Sequence, residues 1–332
     1  MTLKTRMTEL LGIKHPIIQG AMTGVAFPRL VAAVSEAGGL GILGAAAMKP
    51  EAVRNAIREI KKLTSKPFGV NLIPESPNLA ETLDVMIEEK VKVASFGVGN
   101  PEHVIRRTKP AGILSIPTVG SVKHAIKAEQ DGADAVIVQG TEAGGHCSMV
   151  GTMVLVPATV DKVKIPVIAA GGFCDARGLI AAMSLGAEGI SMGTRFILTK
   201  ESMVSQKVKE KYLQSEEKDT IVTPHITGTR CRVLNNRLIS ELLRSGESVE
   251  RSRESLRLGV EKISKAFADS DPEMVPLVSG QVIGLIKDIP SCKELIDSII
   301  NDAEKVLSKI LRNFTTQGQG LQTMCYEVPS SK

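Results

Sequence analysis

Residues 136–148, which read VIVQGTEAGGHCS, combine a strand, a glycine turn and a histidine. The three β-branched residues at 136–138 predict a strand that is covered on both faces. Gly144 and Gly145 allow a sharp turn and a close approach to a ligand, and His146 follows them directly. Histidine has an unperturbed pKa near neutrality, so His146 is the candidate proton carrier. The alternative is a loop histidine that only hydrogen-bonds to the backbone; the glycines and the strand end favour catalysis.

Two further glycine motifs follow predicted strands. Gly171 and Gly172 come directly after the seventh strand, and Gly193 and Thr194 come directly after the eighth. In parallel α/β barrels the loops after these two strands often bind a phosphate. Backbone N–H groups at glycines can hold a phosphate without a basic side chain, while Thr194 adds a hydroxyl and Arg195 can add charge. The alternative, two ordinary tight turns, is less favoured because both pairs occur at the expected strand ends.

Polar or soft side chains end three other predicted strands, namely Met22, Asn71 and Gln139. The amides of Asn71 and Gln139 can pair with the carbonyl and N–H groups at the edge of a planar heterocycle. A phosphate site, two amides and a histidine at one barrel mouth describe a mononucleotide cofactor site, and flavin mononucleotide (FMN) fits it best. Neither a P-loop nor an acidic metal-binding cluster is present, so we expect no metal, and no GxSxG motif suggests a serine hydrolase.

Eight short apolar runs alternate with segments of helical periodicity, which predicts a parallel sheet. Eight repeats favour a (β/α)8 TIM barrel over a doubly wound open sheet, which is the alternative. The strands are predicted at Pro16–Met22, Leu40–Gly44, Phe68–Leu72, Lys92–Phe96, Gly112–Ile116, Asp134–Gln139, Pro166–Ala170 and Glu188–Met192. The helices are predicted at Arg29–Ala37, Glu51–Leu63, Leu79–Glu89, Val122–Gln130 and Ala176–Leu185.

A GxGxxG pattern at residues 39–44 does not predict a dinucleotide site. Such a fingerprint must follow a strand and begin a helix, whereas this one begins the apolar run of the second strand.

The last strong helix is predicted well after the eighth strand, at Ser291–Phe314. Ser291 and Glu294 form a capping box at its start. Its apolar face consists of Leu295, Ile299, Ala303, Val306 and Ile310. We expect this helix to be the eighth barrel helix, displaced in sequence.

The chain is therefore predicted to have four parts. Residues 1–199 carry the barrel strands, 200–285 form an inserted helical lid subdomain, 286–314 carry the last barrel helix, and 315–332 form a tail expected to be disordered. The insertion is polar and helix-rich, and an insertion at this point lies over the barrel mouth. A decorative insertion without a lid function is the alternative. Its helices are predicted at Ser202–Ser215, Arg237–Arg244 and Ser248–Ser264.

Composition limits the classes of partner. The net charge of +5 is small and scattered, which argues against nucleic acid. The five cysteines form no CxxC motif, which is typical of a reducing cytoplasm. No apolar run suggests a signal peptide or a membrane span, so we expect a soluble cytoplasmic protein. The other four histidines, His15, His103, His124 and His225, have no metal-ligand spacing and are expected at the surface.

Six ordered motifs, with a seventh in residues 279–291, resemble those of the nitronate monooxygenase family, formerly called 2-nitropropane dioxygenases. This family of FMN-dependent (β/α)8 enzymes also includes enoyl-ACP reductase II and an NADH:quinone reductase branch. The motifs are PIIQGAM, AGGLG, KPFGVNL, DAVIVQGTEAGGH, PVIAAGGF, GISMGTRF and SGQVIGLIKDIPS.

The resemblance implies an FMN-dependent oxidoreductase with His146 as its active-site histidine. It implies a phosphate site at Gly171, Gly172, Gly193 and Thr194, a histidine loop at Gly144 and Gly145, and an isoalloxazine site lined by Ala21, Met22, Asn71, Gln139 and Gln281. Nitronate oxidation with O2 is the favoured activity, while an NAD(P)H-dependent enoyl thioester or quinone reductase and a flavin-binding redox sensor are alternatives. At Cys147 and Ser148 the family pattern has a small or basic residue followed by glycine, and this departure leaves the substrate open. Whether the protein forms a homodimer is also left open.

Overall fold

A closed parallel barrel forms the centre of the molecule. The computed structural model describes residues 3–46, 48–97, 99–255 and 271–314. The strands pair in the order β1-β2-β3-β4-β5-β6-β8-β9, and β9 pairs back with β1, which confirms the (β/α)8 fold. The barrel strands are β1 Ile17–Gln19, β2 Leu40–Leu43, β3 Phe68–Leu72, β4 Val93–Phe96, β5 Leu114–Val119, β6 Val136–Gln139, β8 Val167–Ala170 and β9 Gly189–Met192.

Helices surround the barrel and build the insertion. Within the described ranges, no helix has both the length and the apolar character that a bilayer crossing requires. The helices of the described residues are α1 Arg6–Leu11, α2 Pro28–Glu36, α3 Pro50–Leu63, α4 Leu79–Glu88, α5 Glu102–Thr108, α6 Val122–Gln130, α7 Thr152–Val160, α8 Ala176–Ser184, α9 Thr194–Ile197, α10 Gln206–Leu213, α11 Arg237–Arg244, α12 Val249–Ser255 and α13 Cys292–Phe314.

The barrel wall separates an inner from an outer apolar layer. Successive strand residues point to opposite faces, so Ile17 joins the layer under the outer helices while Ile18 joins the barrel interior. Met7 and Leu11 of α1 pack onto the interior layer. A Cβ on Gly189, the first residue of β9, would lie 2.5 Å from Met7 Sδ. Helix α1 therefore closes the barrel at the amino ends of its strands and leaves the carboxyl ends for the site.

Helix α13 packs between α2 and α8, next to the first and last strands. The predicted capping box is present: Glu294 Oε2 accepts from Ser291 N at 2.7 Å, and Ser291 Oγ accepts from Glu294 N at 3.2 Å. The apolar face is buried only as far as Ala303, and Ile310 is exposed, contrary to the prediction. The helix continues past the neighbours that cover its first turns.

The segment between β9 and α13 contains a β-hairpin that the sequence did not predict. Strands β10 Thr220–Thr223 and β11 Cys231–Leu234 are antiparallel, and β11 also pairs with the two-residue strand β7, Gly145–His146. The helix predicted at Ser202–Ser215 is shorter, since α10 begins after the cap residue Ser205. The end of the helix predicted at Ser248–Ser264 and the tail at 315–332 lie outside the described residues.

His15 is buried, although the sequence placed it at the surface. It is 3% exposed, and its backbone N donates to the carbonyl oxygen of Gly38 at 2.8 Å. Burial lowers the pKa of its imidazole, and its Nδ1 has no hydrogen-bond partner among the described residues. The ring lies against Gly38, where the chain turns between α2 and β2.

The glycines of the GxGxxG pattern serve close packing against neighbouring backbone. A Cβ would lie 2.8 Å from Ile17 O at Gly39, 2.2 Å from Val31 O at Gly41 and 2.5 Å from Met22 O at Gly44. Each glycine therefore lets β2 approach a neighbouring backbone segment.

Replacing Gly41 with alanine should destabilise the barrel without a change in the site. Forcing extra atoms into a packed core costs about 1–3 kcal/mol, and here the contact is with backbone, which yields least. Denaturant unfolding measures the loss. Gly97→Ala is the matched control, because its nearest neighbour would lie 3.6 Å away. Equal losses in the two variants would contradict this account of the glycine motif.

Candidate functional site

The predicted site residues lie mainly at the carboxyl ends of the barrel strands. Ala21 and Met22 follow β1, Asn71 is near the end of β3, and Gln139 ends β6. Because parallel strands in a closed barrel end on the same rim, these positions share one mouth. Met22 reaches across to β9, since a Cβ on Gly193 would lie 3.7 Å from Met22 Sδ.

The loops after β8 and β9 present unused backbone donors. Gly171 and Gly172 have φ angles of +99° and +86°, a region that favours glycine. No acceptor among the described residues is recorded for the N–H groups of Gly171, Gly172, Gly193 and Thr194. The donors can therefore bind an anion, which fits the phosphate of a mononucleotide.

Thr194 and Arg195 behave differently from each other. Thr194 Oγ1 accepts a hydrogen bond from Gly280 N at 2.9 Å, which leaves the hydroxyl proton for another acceptor. Arg195 is 5% exposed and donates to Asp288 Oδ1 at 2.7 Å and to Leu198 O at 2.8 Å. Its guanidinium joins β9 to the segment before α13, so it does not supply the charge that the sequence allowed at the phosphate.

The histidine loop makes a close crossing with the segment before α13. A Cβ on Gly144 would lie 2.7 Å from Gly280 N, and Gly145 has a φ of +72°. Both glycines are therefore required by the backbone geometry. The crossing also places Gln281 beside the loop, because Gln281 N donates to Glu142 O at 2.9 Å.

His146 is anchored through its backbone, while its ring has no hydrogen bond to the described residues. The side-chain nitrogen of Gln139 donates to His146 O, and the backbone of His146 pairs with that of Cys231. The residue is exposed at the mouth, yet desolvation by the surrounding loops lowers the pKa of the imidazole. Solvent reaches part of the ring while protein encloses the rest, so the neutral form is favoured and the ring can receive a proton.

Glu142 organises this loop, a role that the sequence patterns did not predict. Its carboxylate accepts from Thr152 N at 3.0 Å and from Thr152 Oγ1 at 2.7 Å, at the start of α7. An acidic residue before the glycine pair and a threonine at a helix start were the available signals. Arg232 of β11 was also missed, and nothing local to its sequence indicates its contact with Thr141.

The four cysteines that the structure describes belong to no cluster of metal ligands. Cys147, Cys174, Cys231 and Cys292 are free thiols, and burial raises the pKa of Cys147. No group of three or more metal-ligating side chains occurs within the described ranges. Among the described residues, no hydrogen bond links Asn71 to His146 or to Gln281, so these three residues line the mouth separately.

Comparison with known proteins identifies the family. The chain matches the nitronate monooxygenase family model over residues 4–302. A (3aS,4S,5R,7aS)-5-hydroxy-7a-methyl-1-oxo-octahydro-1H-indene-4-carboxyl-CoA dehydrogenase of Rhodococcus jostii is 41% identical over 92% of this chain and 97% of its own. A probable nitronate monooxygenase of Staphylococcus saprophyticus is 36% identical over 93% of this chain and 100% of its own.

The structural comparison agrees with the family match. The structure of FabK from Thermotoga maritima is 43% identical, with a TM-score of 0.90, and the match covers 95% of this chain and 100% of that chain. With this fold and this rim of glycines, amides and a histidine, the chain belongs to the nitronate monooxygenase family of flavin-dependent oxidoreductases.

Proposed function

We propose that this protein is an FMN-dependent oxidoreductase in which His146 carries a proton at the carbon next to an electron-withdrawing group. The observation that carries the proposal is the place of the His146 ring, which has no hydrogen bond to the described residues and whose pKa desolvation lowers. It lies on the same rim as four backbone donors without acceptors in that part of the chain. Such a rim can hold a phosphorylated cofactor and a proton carrier together.

FMN fits the groups that the rim presents. Gly171, Gly172, Gly193 and Thr194 would hold its phosphate with backbone N–H groups. Bound FMN supplies two-electron exchange with the substrate. The side chain of Asn71 has no hydrogen bond among the described residues, so its amide can pair with the ring edge. Ala21, Met22, Gln139 and Gln281 would complete the isoalloxazine site.

The chemistry of His146 limits the substrate. A neutral imidazole removes a proton from a carbon acid, and the resulting imidazolium can return one. Carbon acidity of this kind arises next to a nitro group or a thioester carbonyl. We place alkyl nitronates, the anions that nitroalkanes form when they lose this proton, first, because the family model and the relative at 36% identity both carry this activity in their names.

An acyl or enoyl thioester is the second candidate. It is favoured by one observation: the relative at 41% identity is named as a CoA dehydrogenase. The same proton transfer at the carbon next to a carbonyl serves oxidation of an acyl thioester or, in reverse, reduction of an enoyl thioester with NAD(P)H as reductant.

We also propose that residues 200–285 act as a lid subdomain over the mouth and that residues 286–314 return to the barrel. The pairing of β11 with β7 supports this proposal, because it joins the insertion directly to the histidine loop. We expect a small-molecule substrate and a cytoplasmic location, and we leave open a homodimer.

Gly172→Ala should yield protein with little bound flavin. Its Cβ would lie 3.6 Å from Glu142 Cβ, and its φ of +86° adds backbone strain of about 1–3 kcal/mol at the predicted phosphate loop. Visible absorbance per folded protein measures flavin content. Gly112→Ala is the matched control, because Gly112 has a φ of +70° and open space around it. Normal flavin content in Gly172→Ala would place the phosphate elsewhere.

His146→Ala should keep its flavin and lose rate by about 10²–10⁴-fold on a substrate that must lose a proton, such as a neutral nitroalkane. A nitronate is already deprotonated, so the loss on it should be smaller. In the unmodified protein the rate should rise with pH and reach its plateau by neutrality, because desolvation lowers the pKa of His146. The variant should lack this limb. Cys147→Ala serves as the neighbouring control; equal losses on both substrates would make His146 an orienting group.

Anaerobic flavin reduction should identify the substrate class. Ethyl nitronate, a saturated acyl-CoA, NADH and NADPH are mixed separately with the purified protein, and the loss of flavin absorbance is followed. Rapid reduction by the nitronate alone is the result we expect. Reduction by acyl-CoA selects a dehydrogenase. Reduction by a pyridine nucleotide selects a reductase, and recovery with an enoyl-CoA or a quinone then tells the two reductases apart. A flavin that none of these reduces would contradict the proposed function and favour a sensor.

A further inference from the structure

The backbone of His146 is held by the insertion. Strand β7 contains only Gly145 and His146, and in the described chain its strand partner is β11. Cys231 lies opposite His146, and Arg232 lies opposite Gly145. Two residues form too short a strand to keep their own direction, so the partner strand fixes the path of the chain through His146.

Arg232 also contacts the beginning of the same turn through its side chain. Its Nε and Nη2 both donate to Thr141 O, at 3.1 and 2.9 Å, and its Nη1 donates to Thr220 Oγ1 at 2.9 Å. Thr141 enters the glycine turn and Gly145 leaves it. One residue therefore holds both sides of the turn, with its side chain on one and its backbone on the other.

The charge of Arg232 makes a space-filling role a poor explanation. The side chain is 7% exposed, and burial lowers the pKa of its guanidinium. The guanidinium donates to a carbonyl and a hydroxyl, and no ion pair among the described residues includes it. A buried cation without a paired anion is costly, and an apolar residue of similar volume would avoid that cost. The planar fork, however, can hold one carbonyl with two N–H groups, which a lysine or methionine cannot do.

We propose that Arg232 is a positioning residue that fixes the histidine turn, so that the ring of His146 meets the substrate in a single orientation. The proposal rests on the proposed function in one respect, namely that His146 carries the proton. Small displacements of a reacting group can cost about 100-fold in rate, so a residue that touches neither substrate nor cofactor can still control turnover.

The test compares Arg232→Met, Arg232→Lys and Thr220→Val with the matched control Arg230→Met. Arg230 is exposed and precedes the same strand. It contacts the histidine loop through its backbone carbonyl, which accepts from Cys147 N, so a change of its side chain removes a neighbouring charge and leaves that bond in place. Two measurements are made on flavin-loaded protein. One is kcat and KM on the substrate that flavin reduction identifies. The other is the NMR signal of the His146 ring, assigned by its loss in His146→Ala.

Arg232→Met should lower kcat by about 10- to 100-fold with little change in KM or flavin content. Its His146 ring signal should broaden or split as the ring samples several orientations. Arg232→Lys keeps the charge but loses the fork, so it should recover only part of the rate, and Thr220→Val should show a smaller loss. Arg230→Met should match the unmodified protein in both measurements.

Three outcomes would overturn the proposal. They are an unchanged kcat and ring signal in Arg232→Met, full recovery in Arg232→Lys, which would show that charge alone matters, and an equal loss in Arg230→Met. If Arg232→Met does not fold, Arg232→Lys and Thr220→Val carry the comparison. The ring signal needs no substrate, so it tests the positioning role even if the proposed activity is wrong.

Discussion

The site depends on a crossing of two backbone segments, at Gly144 and Gly280, where neither residue can carry a side chain. A Cβ on Gly144 would lie 2.7 Å from Gly280 N, and a Cβ on Gly280 would lie 2.8 Å from Glu142 O. The N–H of Gly280 is used by Thr194 Oγ1, so the same point also touches the loop after β9. One contact thus sets the relative positions of the histidine loop, the predicted phosphate loop and Gln281. These three segments are far apart in sequence, and this close packing of backbone joins them.

Much of the barrel could be predicted because its signals are local. Each strand is a short apolar run, and outer helices such as α3 and α6 repeat their apolar residues every three or four positions, so β3 and α6 were placed at their observed bounds. The hairpin of β10 and β11 could not be found in this way. Each of its strands has four residues, and their conformation depends on pairing with each other and with β7, a partner distant in sequence.

The candidate site divides along the same line. The positions of Asn71, Gln139 and Gly171 at strand ends could be predicted, because a strand prediction also predicts where the strand ends. Gly280 and Arg232 act through contacts between distant segments, so spacing gave no indication of their roles, whereas Glu142 had the signal of an acidic residue before the glycine pair. The error at His15 has a similar cause: its burial results from α2 and β2 meeting above it, which no property of its neighbours in sequence reveals.

The short strand β7 means that the barrel and the turn that carries His146 need not share one stability. The barrel wall closes through strands that lie outside the insertion, whereas His146 gains its strand partner from β11 alone within the described chain. Proteins open in parts, and a part held by few contacts opens at a lower free energy than the whole. Separation of β11 from β7 would remove this strand pairing from His146 and leave its carbonyl bonded to Gln139 of β6, while the eight barrel strands stayed paired. The strand β11 therefore contributes to the order of the turn that carries His146, and changes in β11 can alter that order while the barrel strands stay paired.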